Sequence, residues 1–399
     1  MPAYLIGTID IEDTEAYSLY RSFNPSLVEA AGGKYIITGK PVTILEGDDF
    51  RSRFVMIEFA NEAALRRFYD SSEYSALKHI REKSSKSSLA IINTDETAST
   101  RTAFQIPAFG EAVELSAVTS PLAEVGHDEV RIQPTLMAVN PVDWKIRDGI
   151  LAALPFQFPH TLGCEGVGVV EAVGEGVRDF EPGQRVMAHS SLLRGGWFAD
   201  RVDVPASQCS LVPTQMPDEL AASLSVASLT AAQTIGLHGT PIGRALVIGA
   251  SGAVGSNAVA LLNKATGRVD AICSVANSAY VTSLGANVLP PEQAAENEYD
   301  FVLDASGGSA IEAGYRNLAK GGTLVSIVQP VDEARAAESS ARAIRYSVKP
   351  NGEQLSELMA EHDALPEPRI AALMPLAEVN AALHLSKTGR LRGKILLKP

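Results

Sequence analysis

Cysteine is scarce in this chain of 399 residues. The three present, Cys164, Cys209 and Cys273, are too few and too scattered for a disulfide framework. The seven histidines show no paired spacing of the kind a metal site needs. Positive charge is also short: 34 Lys and Arg stand against 47 Asp and Glu, a formal net charge of −13. A nucleic-acid or anionic-membrane partner would want a basic face, so neither is expected. No long uncharged apolar run occurs, so no membrane span is expected either. The opening Met1-Pro2-Ala3-Tyr4 carries neither a basic nor an apolar leader pattern, and the expectation is a cytoplasmic protein. What is left is an ordinary globular composition, 46% hydrophobic and 20% charged, with length for two or three domains.

Within that chain one stretch stands out. The apolar run Arg244-Ala245-Leu246-Val247-Ile248 leads into Gly249-Ala250-Ser251-Gly252-Ala253-Val254-Gly255, and then Ser256 to Leu262 repeats apolar residues at helical spacing. That is strand, tight turn, helix. Glycines let backbone amides approach a pyrophosphate, and the helix N-terminus adds partial positive charge. Downstream, Val269–Ser274, Tyr299–Gly308 and Gly321–Val328 read as further strands alternating with helical stretches, several with glycine or small residues at their carboxyl ends. The pattern predicts an α/β domain with a doubly wound parallel sheet that binds a dinucleotide.

Residues 1–95 read as a unit of their own. Strands at Tyr4–Ile11, Lys34–Ile37, Arg53–Phe59 and Ser88–Asn93 alternate with helices starting at Asp13 and Asn61, with a turn at Gly47-Asp48-Asp49. The order β-α-β-β-α-β predicts a ferredoxin-like α+β fold. Ala30-Ala31-Gly32-Gly33, Leu45-Glu46-Gly47, Ile57-Glu58-Phe59 and Tyr69-Asp70-Ser71-Ser72-Glu73-Tyr74 resemble the domain of unknown function 1330 family. That resemblance implies sheet-to-sheet dimers. Eleven of the chain's 22 Tyr and Phe lie here. They are read first as core and interface, and second as a pocket for a planar ligand beside His79 and Arg81. Residues 96–100 are polar and small, a linker.

From Arg101 to about Pro213 strand-like alternation predicts a mainly β domain, and the glycines of Gly163 to Gly174 mark close backbone approach. Residues 101–399 resemble the medium-chain dehydrogenase/reductase superfamily, on its zinc-free quinone oxidoreductase-like branch. The matching residues are Asn140-Pro141-Val142-Asp143-Trp144-Lys145, Leu162 to Gly168, Asp179 to Val186, Thr230-Ala231, the Ala250–Gly255 turn, Ser283 to Ala286 and Thr388 to Lys394. The resemblance implies a GroES-like catalytic domain over 101–225, a Rossmann domain over 226–350, and a return to the first over 351–399. Nicotinamide would lie in the cleft between them.

The same resemblance frames the chemistry. Positions 140 and 164, where zinc-dependent relatives carry Cys and His, are Asn and Cys, so no zinc is expected. Cys164 is read as a small buried residue. Asn140 is expected to orient the nicotinamide ribose or substrate. Asp143 is read first as a structural carboxylate and second as catalytic. Trp144 replaces a tyrosine of many relatives; indole donates a hydrogen bond but is no useful acid, leaving the substrate's proton to solvent. The second strand ends without a carboxylate, and Ser274, Asn277 and Ser278 can hydrogen-bond a phosphate, so NADPH is expected ahead of NADH. Thr230, Ser326 and Val328 should flank the nicotinamide; Ser306 and Gly307 are read as lying near the cofactor or, for Gly307 with Gly308, as relaxing a turn; Lys394 matches a position that reaches its phosphates, or is a solvated terminal lysine. The expected function is hydride transfer from NADPH to an apolar or aromatic α,β-unsaturated carbonyl or quinone, by a homodimer or higher assembly. Leu151, Leu154, Phe156, Phe158 and Trp197 are read as apolar lining or as core. A nucleotide-binding redox sensor without turnover and a bifunctional enzyme whose first domain serves the same pathway remain alternatives.

Overall fold

The computed structural model describes residues 2–43, 45, 51–93, 100–239, 241–294, 296–389 and 393–399. The expected Gly47-Asp48-Asp49 turn, linker residues 96–99 and the Arg390-Leu391-Arg392 part of the C-terminal motif lie outside them. The chain divides into two compact units, Met1–Thr100 and Arg101–Pro399.

In the first unit β1 (Ala3–Ile11) alternates buried and half-buried residues, as a strand with one covered face must. Asp13 starts α1 (Thr14–Ala30) by accepting the backbone N–H groups of Glu15 and Ala16, both at 3.0 Å. The helix runs ten residues beyond Tyr20, where the sequence pattern fades, because Tyr17, Tyr20, Asn24 and Val28 keep one face buried. β2 (Lys34–Pro41) and β3 (Arg53–Phe59) follow, then α2 (Glu62–Tyr69), capped by Asn61. A second helix, α3 (Ser72–Ser84), precedes β4 (Ser85–Asn93). The sequence reading passed over α3: its composition is polar, and its N-cap, Ser71, sits two residues past the end of α2. The sheet is antiparallel in the order β2-β3-β1-β4, the split βαβ arrangement.

The second unit holds two large sheets. Seven strands form the first, on a path through Cys209–Leu211, Arg185–His189, Glu165–Val173, Glu129–Val139, Lys394–Lys398 and Ile370–Pro375, with Val202–Pro205 also pairing to Glu129–Val139. Ile395–Leu397 pair with Met137–Val139, so the end of the chain closes the sheet that residues 129–211 began. Past Gly195 and Gly196, which turn the chain at φ of +55° and +103°, the next strand of this sheet begins at Val202. Gly168 sits where the strand Glu165–Val173 crosses a register shift in its partner. A Cβ there would lie 2.2 Å from the Gln133 carbonyl oxygen.

The second sheet is parallel and six-stranded, in the order Asn287–Val288, Val269–Ile272, Ala245–Ile248, Tyr299–Asp304, Leu318–Ser326, Arg342–Arg345. This is the doubly wound order 3-2-1-4-5-6, with its switch point between Ala245–Ile248 and Tyr299–Asp304. The edge strands of two and four residues are too short to carry a periodic signal. A 19-residue helix, Asp218–Gly236, serves both layers. Its Ala221, Leu224 and Leu229 pack with Leu136, Val167 and Met187 of the first sheet, and its Ala231 with Val247 and Val259 of the second layer.

Gly168→Ala should therefore destabilise the second unit by about 1–3 kcal/mol, the cost of overpacking where backbone cannot retreat. Gly236→Ala, at the end of a helix with nothing within 4 Å of the new methyl, should be neutral or stabilising. Denaturant melts of the two variants, followed by tryptophan fluorescence, check the contrast.

Candidate functional site

The glycine turn is shaped by three different constraints. The strand Ala245–Ile248 is wholly buried and ends at Gly249, whose φ of +81° only glycine adopts freely. Gly252 starts the helix Ala253–Thr266 without a side-chain cap, so no side chain of its own occupies the first N–H groups. A Cβ on Gly255 would lie 2.2 Å from the Gly249 carbonyl oxygen, so the helix can press this close to the strand only as glycine. Ala250 and Val254 face the core of this layer, while Ser251, Gly252 and Ala253 line a cavity of about 160 Å³. An uncapped N-terminus opening on a cavity is the donor set a diphosphate needs.

Opposite that turn the cavity is closed by Asn277, Tyr280, Arg369 and Lys394. Asn277 Nδ2 donates to Ser251 Oγ and Ser274 Oγ, each at 3.1 Å. Ser278 lies beside Cys273. Arg369, just before the strand Ile370–Pro375 of the first sheet, lays its guanidinium 3.9 Å from the Tyr280 ring centroid, and Nη1 reaches Asn277 Oδ1 at 3.5 Å. The sequence reading missed Arg369, because 92 residues separate it from Asn277 and no local motif surrounds it.

Behind the cavity lies a buried polar cluster. Lys394 Nζ donates to Asn140 Oδ1 at 2.7 Å and to Glu165 Oε1. Asn140 Nδ2 donates to Glu165 Oε1 at 2.9 Å and lies 3.7 Å from Cys164 Sγ. The second Glu165 oxygen accepts the Val226 backbone N–H at 2.6 Å. Asn140 therefore spends its amide internally, where the sequence reading aimed it at ribose or substrate. Glu165, fully buried, was not singled out, although an acid at the head of an apolar glycine-rich run is the signal that marks it. Asp143 accepts the backbone N–H groups of Asn140 at 2.7 Å and Gly163 at 3.2 Å, one on each oxygen, which makes it a positioning carboxylate for the Asn140 turn. Burial pushes its pKa up to about 7, against the pull of those two donors and of Lys394. Burial also raises the Cys164 thiol.

At the carboxyl ends of the central strands Asp304 is the organiser. Its carboxylate accepts from the Gly307 N–H at 2.8 Å, Ser326 Oγ at 2.9 Å and Gln329 Nε2 at 2.9 Å. Ser326 is fully buried and its hydroxyl is committed to Asp304; it also accepts the Val328 N–H at 3.3 Å. Ser306 is exposed next to Gly249. Thr230 is buried and donates to its own helix at Val226 O. These residues shape the floor at the switch point, with their hydroxyls turned inward at Ser326 and Thr230. Trp144 packs on the core of the first sheet's domain, and its indole N–H is buried with no hydrogen-bond partner among the described residues. Of the apolar residues expected to line a pocket, Trp197 is fully buried and donates to Ser190 Oγ, so it is core. Phe156 and Phe158 pack edge-on around Phe109.

The residues at positions 140 and 164 do not suit a zinc ion. An amide already hydrogen-bonded on both sides and a thiol pushed towards its neutral form are poor ligands, and Glu165 is held by Lys394. Among the described residues no group of three His, Cys, Asp or Glu side chains is placed to hold a metal ion. Nor, among them, is any helix long and apolar enough to cross a membrane.

Residues 2–94 match the family described as "Domain of unknown function (DUF1330)", residues 126–214 "Alcohol dehydrogenase GroES-like domain", and residues 275–397 "Zinc-binding dehydrogenase". The chain is 29% identical to the chloroplast envelope quinone oxidoreductase homolog of Arabidopsis thaliana, over 73% of this chain and 95% of that one. It is 31% identical to the human mitochondrial NAD(P)H oxidoreductase RTN4IP1, over 61% of this chain and 70% of that one. The structure of the quinone oxidoreductase from Coxiella burnetii superposes on it with a TM-score of 0.67 at 26% identity, covering 75% of this chain and all of the other. With two sheets, a glycine turn at the switch point and a sheet closed by the chain's last strand, the protein belongs to the medium-chain dehydrogenase/reductase superfamily, as an oxidoreductase of its quinone oxidoreductase-like branch preceded by a DUF1330 domain.

Proposed function

We propose that the second unit is an NADPH-dependent reductase acting without zinc on an α,β-unsaturated carbonyl or a quinone. The observation that carries this reading is the shared cavity. The uncapped helix N-terminus at Gly252 and the buried Lys394 border one space, and they come from the two different layers of the unit. A nicotinamide cofactor, when bound, supplies the hydride. This chain's residues would hold its diphosphate at Ser251, Gly252 and Ala253, with Lys394 as the cation. The lysine also keeps Glu165 neutralised, so one ammonium group fixes the cavity wall and faces the cavity.

Hydride added to the carbon β to a carbonyl leaves negative charge on the substrate's oxygen, and a donor placed there lowers the barrier. The unpartnered indole N–H of Trp144 is the donor we assign to that oxygen. It has no proton to give at working pH, so the α-carbon takes its proton from water. Weak acid catalysis suits substrates already activated as enones or quinones. Simple ketones would need a stronger electrophile.

NADPH is the cofactor we infer. A carboxylate at the end of Val269–Ile272 would repel a 2′-phosphate and is absent, while Ser274, Asn277 and the guanidinium of Arg369 group near that strand end, and donors of this kind support a phosphate there. For the assembly we infer a homodimer through the first unit. The sheet face turned from its helices carries Ile6, Phe54, Met56 and Ile92, an apolar strip that a second copy would cover.

Three measurements follow. Purified protein given a panel of enones and quinones should consume NADPH with a matching yield of reduced product; binding of NADPH with no consumption across the panel would favour a nucleotide sensor. Arg369→Ala should weaken NADPH binding by about tenfold or more while leaving NADH within a factor of two or so, the loss expected for one charge-assisted contact. Titration of intrinsic fluorescence with each nucleotide reads this directly, and equal losses for both would refute the assignment. Light scattering should give a dimer for the full chain, shifted towards monomer by Ile92→Glu.

A further inference from the structure

The first unit contains a guanidinium that its own fold leaves underpaired. Arg81 lies in the last turn of α3 and is 3% exposed. One Nη donates to Ser87 Oγ, and the other lies 3.8 Å from Glu82, a carboxylate half open to solvent. Its Nε is buried with no hydrogen-bond partner among the described residues. No buried Asp or Glu accompanies it among those residues of the first unit. Taking a charge out of water without a close counter-charge costs several kcal/mol. The carbonyl end of α3 offsets about 0.3–1 kcal/mol of that, up to about 2 in a favourable buried geometry. The balance is unfavourable for an empty site.

Arg81 borders a cavity of about 400 Å³ whose rim carries two further cations beside the one carboxylate of Glu82. Arg51 and Lys86 stand on it, each leaning outward to an exposed acid: Arg51 to Asp10 at 3.6 Å, Lys86 to Glu12 at 2.6 Å. Those rim charges are solvated and paired. The buried one has only Glu82, at 3.8 Å, and its Nε has no partner among the described residues. Tyr69 and Leu89 supply an apolar wall, so the space is not simply a hydrated notch.

We propose that this cavity is a binding site for a small organic oxyanion, a carboxylate or phosphate ester with a compact apolar body. Arg81 is its anchor, the Ser87 hydroxyl a second donor, and Lys86 and Arg51 attract it at the mouth. A planar guanidinium presents parallel N–H donors that match an oxyanion, which a buried lysine would not. The apolar body would lie against Tyr69 and Leu89. The site is separate from the nucleotide cavity of the second unit and does not rest on the reductase reading.

Calorimetric titration of the full chain with benzoate and, separately, with inorganic phosphate tests it at low ionic strength. The expected result is one saturable site per chain for at least one probe, weakened by salt. That site should be lost or weakened roughly tenfold to a hundredfold in Arg81→Gln, as expected for a charged anchor. Preference for benzoate assigns a carboxylate ligand, and preference for phosphate a phosphorylated one. Phosphate held at the glycine turn would persist in the Arg81 variant and so subtracts out. Absence of saturable binding, or the same affinity in wild type and Arg81→Gln, overturns the proposal. Should Arg81→Gln fail to fold by circular dichroism, the double variant Ser87→Ala, Lys86→Ala carries the comparison, and unchanged binding there overturns it equally.

Discussion

The charge on Glu165 is the constraint around which the second unit is built. It is fully buried, at the head of the run Gly166 to Val170 made of glycine and valine, and it must be neutralised where it stands. Three separate stretches meet that need: Lys394 from the last strand, Asn140 from the turn before a helix, and the Val226 backbone from the long helix shared by both layers. Removing one partner from such a buried pair costs about 3–5 kcal/mol, far more than the pair gives as net stabilisation. The network is therefore better understood as specifying geometry than as supplying stability. It fixes where the returning chain enters the sheet, and so where Lys394 lies relative to the glycine turn.

That placement explains how two layers can build one cavity. The helix Asp218–Gly236 is apolar towards both sheets, so it cannot slide without exposing one core or the other. Glu165 pins its backbone at Val226, and Thr230 lies one turn further on, within the same rigid segment. On the far side Asp304 ties together the ends of two parallel strands, through Gly307, Ser326 and Gln329. Both walls are thus held by buried carboxylates whose oxygens are saturated, and the mobile chemistry is left to the cofactor and substrate. Asp143 follows the same pattern, spending both oxygens on backbone amides.

The parts of this arrangement that were legible in the sequence are those written in consecutive residues. Gly249, Gly252 and Gly255 announce a strand, a turn and a helix, because Gly249 takes a positive φ and Gly255 presses against the Gly249 carbonyl, demands that fall within seven residues. The doubly wound sheet follows from alternation of the same kind, and only its edge strands escape, being too short to show a period. What is not legible depends on residues far apart. Glu165 and Lys394 are 229 positions apart, and Asn140 changes from an expected cofactor contact to an internal one only once Lys394 is seen beside it. Trp197, read as pocket lining or as core, is decided by a partner in the same way: its indole N–H finds Ser190, so the side chain can be fully buried.

The first unit poses a different question, because nothing in the reductase chemistry calls for it. It has its own core, centred on Leu5, Ile57, Phe59, Leu65 and Tyr74, and its strands pair only with one another. A domain that folds around its own core gains little stability from being fused to another, so its presence is better explained by what its surfaces do. An apolar sheet face and a cavity with a buried arginine lie on it, and covalent linkage delivers both in fixed ratio to the oxidoreductase unit. Linkage raises the effective concentration of whatever the first unit holds near the second.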